Sequence, residues 1–208
     1  MRNCGYWHGA FGGIYLPHLR NAVFHHLLAA EDLLDQATGR PESWIDDAHG
    51  DFNFDARPEV LLANDKLALW FAPARGGMLY ELDVRGAKHN LLATLARRPE
   101  AYHRKVLAGA AQQPGQVASI HDRIVFKQAG LDQRLQYDDH LRKSLLDHFF
   151  EPGATLAAVA SGEAPQLGDF LHGEYAARVR RNPGRTQVML SREGRVGDLP
   201  VKLTKGVT

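Results

Sequence analysis

The chain has 208 residues, 44% of them hydrophobic and 24% charged, a globular composition that excludes disordered, collagen-like and fibrous classes. Lys and Arg total 25 against 24 Asp and Glu, and a net charge of +1 provides no field to draw nucleic acid or anionic lipid. Cys4, the one cysteine, closes no internal disulfide, no stretch approaches the roughly 20 apolar residues of a membrane helix, and the first residues lack the apolar run of a signal peptide, so a soluble, cytoplasmic protein is expected.

The chain opens on a dense aromatic and glycine stretch, Asn3-Cys4-Gly5-Tyr6-Trp7-His8-Gly9-Ala10-Phe11-Gly12-Gly13. Chain ends usually fray, so this many rings make sense only under a cover. Pro17 suits the first turn of a helix, and Leu19, Val23, Leu27, Ala30 and Leu34 follow at helical spacing, which predicts a helix over 17–36 ended by Gly39 and Pro41. His18, Asn21, His25, Glu31 and Asp32 fall opposite, so that side is expected wet while the apolar stripe demands a partner helix.

Residues 40–50 are rich in Pro, Ser, Asp and Gly around a lone Trp44 and read as a linker at a domain boundary. Alternating patterns then predict strands over 59–63, 66–72 and 78–84, an antiparallel meander turned at Asn64-Asp65 and at 73–77. Strict alternation puts Met78, Tyr80, Leu82 and Val84 on one face and Leu79, Glu81 and Asp83 on the other. Asn90 is placed to cap a short helix over 91–96, and after Pro99 a second is expected over 102–107. A small-residue loop, 108–118, precedes strand-like runs at 123–127, 144–150, 174–180, 186–191 and 199–204, with Asn182-Pro183-Gly184 as a turn. The fold class is therefore mainly β with a helical N-terminal segment, and short antiparallel strands with long excursions indicate an antiparallel β-sandwich.

Eleven histidines raise metal binding, yet no HExxH or CxxC spacing occurs and His25-His26 are adjacent, so no metal site is expected. Asp122, between His121 and Arg123, reads as a strand-end polar cluster. Glu81 and Asp83 lie two apart on one strand face, about 6.6 Å between backbones, near the low end of the ~6.5–9.5 Å window of an inverting glycosidase pair. Same-face carboxylates are more often the solvent side of a sheet. No G-x-S-x-G elbow or Walker lysine is present, and nothing activates Cys4 as a nucleophile. Tyr6-Trp7-His8 is different: a flat ring beside a hydrogen-bonding imidazole suits a sugar face, and flanking glycines let the backbone approach it. Trp7 as a packing anchor for the following helix is the alternative.

The residues 3–20, through Ile14-Tyr15-Leu16-Pro17-His18-Leu19-Arg20, resemble the end of the central helical domain of family-57 glycoside hydrolases of the 4-alpha-glucanotransferase and alpha-amylase type. Pro73-Ala74-Arg75-Gly76-Gly77-Met78-Leu79-Tyr80-Glu81-Leu82-Asp83 and the run 90–103, which contains Arg97-Arg98-Pro99-Glu100-Ala101-Tyr102-His103, resemble their C-terminal sandwich. So do Asp147-His148-Phe149, Leu167-Gly168-Asp169-Phe170 and Leu190-Ser191-Arg192-Glu193-Gly194.

This resemblance implies a helical-domain remnant over 1–39, the linker over 40–50 and a partial, galactose-mutarotase-like sandwich over 51–208. It also implies that Tyr6, Trp7 and His8 lie at the substrate cleft, and it argues against Glu81 and Asp83 as catalysts. Nothing in the chain resembles the family's catalytic barrel. The expectation is a fragment with no catalytic residue and no cofactor, binding an alpha-glucan or maltooligosaccharide. Its protein partner would be a separately encoded catalytic barrel chain or a second copy in a homodimer.

Overall fold

The computed structural model describes residues 15–110, 130 and 132–208. Helix α1 (Pro17–Ala37) starts on Pro17 and ends where Thr38 bonds back to Leu34 and Gly39 turns left-handed at φ 67°. Strands β1 (Ile45–Gly50), β2 (Glu59–Asn64), β3 (Leu67–Ala72), β4 (Met78–Val84) and β5 (His89–Asn90) form one antiparallel sheet in sequential order. Helices α2 (His103–Ala110) and α3 (Leu156–Ser161) lie on the excursion between the sheets, and β6 (Ala176–Asn182), β7 (Arg185–Val196) and β8 (Leu199–Val207) make the second.

The two sheets close a sandwich over one apolar core. Val60, Leu62, Phe71 and Leu79 of the first sheet meet Val188 and Leu190 of β7, with Phe170 and Tyr175 between them, all at most 6% exposed. The expected fold class holds, and the turn at 182–184 joins β6 to β7 with Gly184 at φ 70°.

Several local expectations do not hold. The stretch read as a linker carries β1, an edge strand paired with β2 along its whole length. A bulge opposite Trp70 and Phe71 leaves Tyr80 unpaired, so Leu79 pairs with Phe71 and Leu82 with Leu69, and both reach the core three residues apart. Glu81 and Asp83 still share a face, now with Met78. No helix forms over 91–96: the Asn90 side chain accepts the Leu92 N–H at 2.7 Å, while Leu91 N–H stays on Leu82 at 2.8 Å, which closes a turn. In 144–150 only Ser144 exchanges bonds, with Leu79, before Leu145 at φ 60° breaks the ladder. The strand expected over 123–127 lies outside the described residues, as do Cys4 and Asp122.

The largest departure is the orientation of α1. Leu28, outside the expected stripe, is its buried residue, at 2% exposed, whereas Leu27 and Leu34 of the stripe are 47% and 64% exposed and Leu19 and Val23 are half-buried. The cause is Arg85, just after β4 and 7% exposed, which needs carboxylates around its guanidinium and finds Glu31, Asp32 and Asp35 on α1. Lys88 adds a 3.3 Å contact to Asp32, and Arg20 donates to the Ala93 carbonyl at 2.7 Å. Asp32, on the side expected to be wet, therefore docks on the sheet through Arg85, and the C-terminal half of the apolar stripe turns outward, while His18, His25 and Glu31 stay exposed as expected.

Candidate functional site

Two of the segments whose sequence carries the resemblance, 73–83 and 90–103, meet at one cleft of the sandwich. Asp138 is the fastening: Arg97 donates through its backbone N–H (2.6 Å), Nε (3.0 Å) and Nη2 (2.6 Å), and Arg142 through Nε (2.8 Å) and Nη2 (3.0 Å). Its own N–H returns to the Arg97 carbonyl at 2.8 Å. The Arg142 guanidinium and then the Arg97 donors hold the Asp138 carboxyl far below the usual carboxylate range, despite an opposing effect of burial. Two irregular segments, around 97 and around 138, are thereby clamped together without secondary structure.

This clasp forms one wall of a cleft of about 460 Å³. The facing wall is the turn between β3 and β4, where Gly76 and Gly77 both take positive φ, 69° and 56°. A Cβ at Gly76 would strike the Leu171 backbone and one at Gly77 the Tyr175 ring at 2.9 Å, so the turn needs glycine at both positions to seat Arg75 at the rim. The loop 51–58 supplies the third side. Asp51, Asn53 and Asp55 side chains accept the backbone N–H groups of Asp55, Ala56 and Arg57, and Glu59, buried at 2% exposed, accepts from Phe52 N–H and Asn53 Nδ2. That loop sets Asp55 against Arg75 and leaves Arg57 at the cleft edge.

The floor is apolar, with Ala74, Met78 and Leu171 at 8%, 4% and 3% exposed. His140 and His172 complete the rim; His140 pairs with Asp139 and lies edge-on to His148 at 4.9 Å, which stacks on Phe150. A smaller cavity of about 240 Å³ adjoins, lined by Tyr15, Arg98, Glu100, Tyr102 and His103. Burial, and then the hydrogen bond to Glu100, raise the Tyr15 hydroxyl above its ordinary pKa.

Of the residues singled out in the sequence, Tyr6, Trp7 and His8 lie outside the described residues. Glu81 and Asp83 come together, but as a hydrogen-bonded pair facing Glu31 of α1 rather than across a cleft. Burial and the Glu81 charge push Asp83 up to about 8, and burial also raises Glu81. At 3% exposed, and bonded to its neighbour, Asp83 leaves no room for a sugar and a water between the two carboxyls. Among the described residues no group of three or more His, Cys, Asp or Glu is placed to hold a metal ion, and no helix is long and apolar enough to cross a membrane. Sequence reasoning did not single out Asp138. The one available cue was that Arg97 and Arg98 fall within the run 90–103.

Two family descriptions match the chain: alpha-amylase/4-alpha-glucanotransferase, C-terminal, over residues 51–208, and the middle domain of the same proteins over residues 1–34. A 4-alpha-glucanotransferase of Thermococcus kodakarensis is 38% identical over 206 residues, 99% of this chain and 30% of its own length. Alpha-amylase 1 of Dictyoglomus thermophilum is 33% identical over 189 residues, 91% of this chain and 26% of its own. The crystal structure of the Thermococcus litoralis 4-alpha-glucanotransferase superposes with a TM-score of 0.75 at 31% identity, over 98% of this chain and 27% of that one. The chain thus spans under a third of the length of these relatives. With the C-terminal description covering residues 51–208 and the sandwich superposing throughout, the chain belongs to the alpha-amylase/4-alpha-glucanotransferase family.

Proposed function

We propose that these 208 residues are a non-catalytic part of an enzyme acting on alpha-glucans, with the carboxylates that cleave or transfer carried outside them. In this reading the chain works in carbohydrate metabolism in the cytoplasm and contacts an alpha-glucan through Tyr6, Trp7 and His8. The observation that carries it is the family match over 51–208 joined to the middle-domain match over 1–34. The buried Glu81–Asp83 pair supports it, because the one carboxylate pair at a suitable sequence spacing is closed to substrate. The purified chain is expected to bind maltooligosaccharides, more weakly as Trp7→Ala, and to produce neither hydrolysis nor transfer products from them. Turnover abolished by a single carboxylate substitution would overturn the reading.

A second reading rests on the outward side of α1. Of the stripe Leu19, Val23, Leu27 and Leu34, the last two are 47% and 64% exposed on a helix already anchored by its acidic side, which suits docking to a separately encoded catalytic barrel. Co-purification with a barrel polypeptide encoded in the same genome, lost in Leu27→Glu/Leu34→Glu, supports it. A monodisperse monomer without glucan affinity counts against it.

A further inference from the structure

We propose that the cleft between the Arg97–Asp138 clasp and the turn at Arg75-Gly76-Gly77 is a binding site for a neutral alpha-glucan segment. The inference rests on the glucan-acting reading above and adds a place and a chemistry to it. The first argument is shape: about 460 Å³ lies within the ~300–1,000 Å³ of small-ligand sites, and the cleft is concave over a buried apolar floor. A pyranose ring has a face of C–H groups to lay against Leu141, 41% exposed at the cleft, above that floor.

The second argument is charge. The rim is densely polar yet nearly neutralised in place: Arg97 and Arg142 share Asp138, Arg75 has Asp55, Arg98 has Glu100 and His140 has Asp139. An anion finds few uncompensated cations there. Hydroxyl groups, which both donate and accept, can use the outward N–H groups of the arginines and the spare lone pairs of the carboxylates at once. Among the described residues Arg57 donates one long hydrogen bond, 3.4 Å to the Ala74 carbonyl, and His172 stands exposed on the opposite edge.

The third is rigidity. Asp138 receives five hydrogen bonds and the glycine turn is locked against Leu171 and Tyr175, so the walls are set before a ligand arrives and little ordering is charged against binding.

Maltoheptaose titrated into the full 208-residue chain by calorimetry tests the site. Arg57→Ala and His172→Ala remove rim groups that hold no wall in place, and each is expected to weaken one binding event about tenfold with the melting temperature unchanged. Unaltered isotherms in both rim variants, with binding abolished by Trp7→Ala, would overturn the cleft site and leave the glucan-acting reading standing. Absence of any maltoheptaose binding to the unmodified chain would overturn both. Displacement of maltoheptaose by inorganic phosphate, at equal concentration and constant ionic strength, would show an anion site and overturn the glucan assignment.

Discussion

On its inner face the five-stranded sheet meets β7 through Val60, Phe71, Val188 and Leu190, each at 0% exposed. Around the β4–β5 edge the same sheet meets α1 through a buried arginine, three carboxylates and the Glu81–Asp83 carboxyl pair, with Leu28 as the helix's one fully buried apolar contact. The inner contact is non-directional and scales with apolar area. The α1 contact is directional, because Arg85 fixes which side of the helix points inward and Trp44 packs beneath the Arg40 and Arg85 guanidinium groups. The first makes the sandwich a unit; the second sets where one helix sits on it.

If this division is right, the two contacts should fail differently. Phe170→Ala removes a ring at 0% exposed that packs on Phe149 at 5.3 Å and Tyr175 at 6.5 Å, and is expected to destabilise the whole chain by about 3–5 kcal/mol. Denaturant unfolding should stay cooperative, and hydrogen exchange should quicken in both sheets together. Arg85→Ala removes the cation shared by Glu31, Asp32 and Asp35, leaving Lys88 on Asp32, Arg40 on Asp35, and Glu31 facing Glu81 and Asp83 uncompensated. Breaking a buried pair costs ~3–5 kcal/mol, but the α1 carboxylates are partly exposed, at 54%, 27% and 22%, so about 2 kcal/mol is expected. The exchange signature should be local, with α1 amides losing protection while β7 and β8 keep theirs. Equal loss of protection in both regions would mean that α1 and the sandwich unfold as one.

The same contrast explains what could be read from the sequence. Strands β2, β3, β4 and β7 were legible as short runs rich in apolar residues between turn signals, although of the four only β7 buries alternate residues, and the sandwich followed from their number and spacing. The helix over Pro17–Ala37 was legible as a helix, but its apolar stripe pointed to the wrong side, since Arg85 lies some fifty residues away and its demand for carboxylates leaves no periodic trace. The bulge at Tyr80 and the left-handed Leu145 were invisible for a similar reason: each is a single backbone choice imposed by tertiary packing. The cleft was legible only in part. Its arginines stood in runs matched to a family, whereas Asp138, which holds them, stood in a polar stretch with no pattern.

The smallest expected effect is also the most specific. Asp83 is pushed up to about 8 by burial and by Glu81, against roughly 3.9 in an unfolded chain. Glu31 of α1 adds to the rise, while Arg85, and Lys143 on the Glu81 side, oppose it. Between those two pH values the folded state holds a proton that the unfolded state has released, so stability falls as pH rises through the window and levels off above it. Asp83→Asn imitates the protonated form and keeps a donor for Glu81. It should therefore match the unmodified chain below about pH 4 and gain on it steadily up to about pH 8. Melting curves recorded from pH 4 to 9 measure the difference directly. Two parallel curves would mean that the Glu81–Asp83 pair holds no proton in the folded protein, and the α1 contact would then be an ordinary ion-pair network rather than one closed by a shared proton.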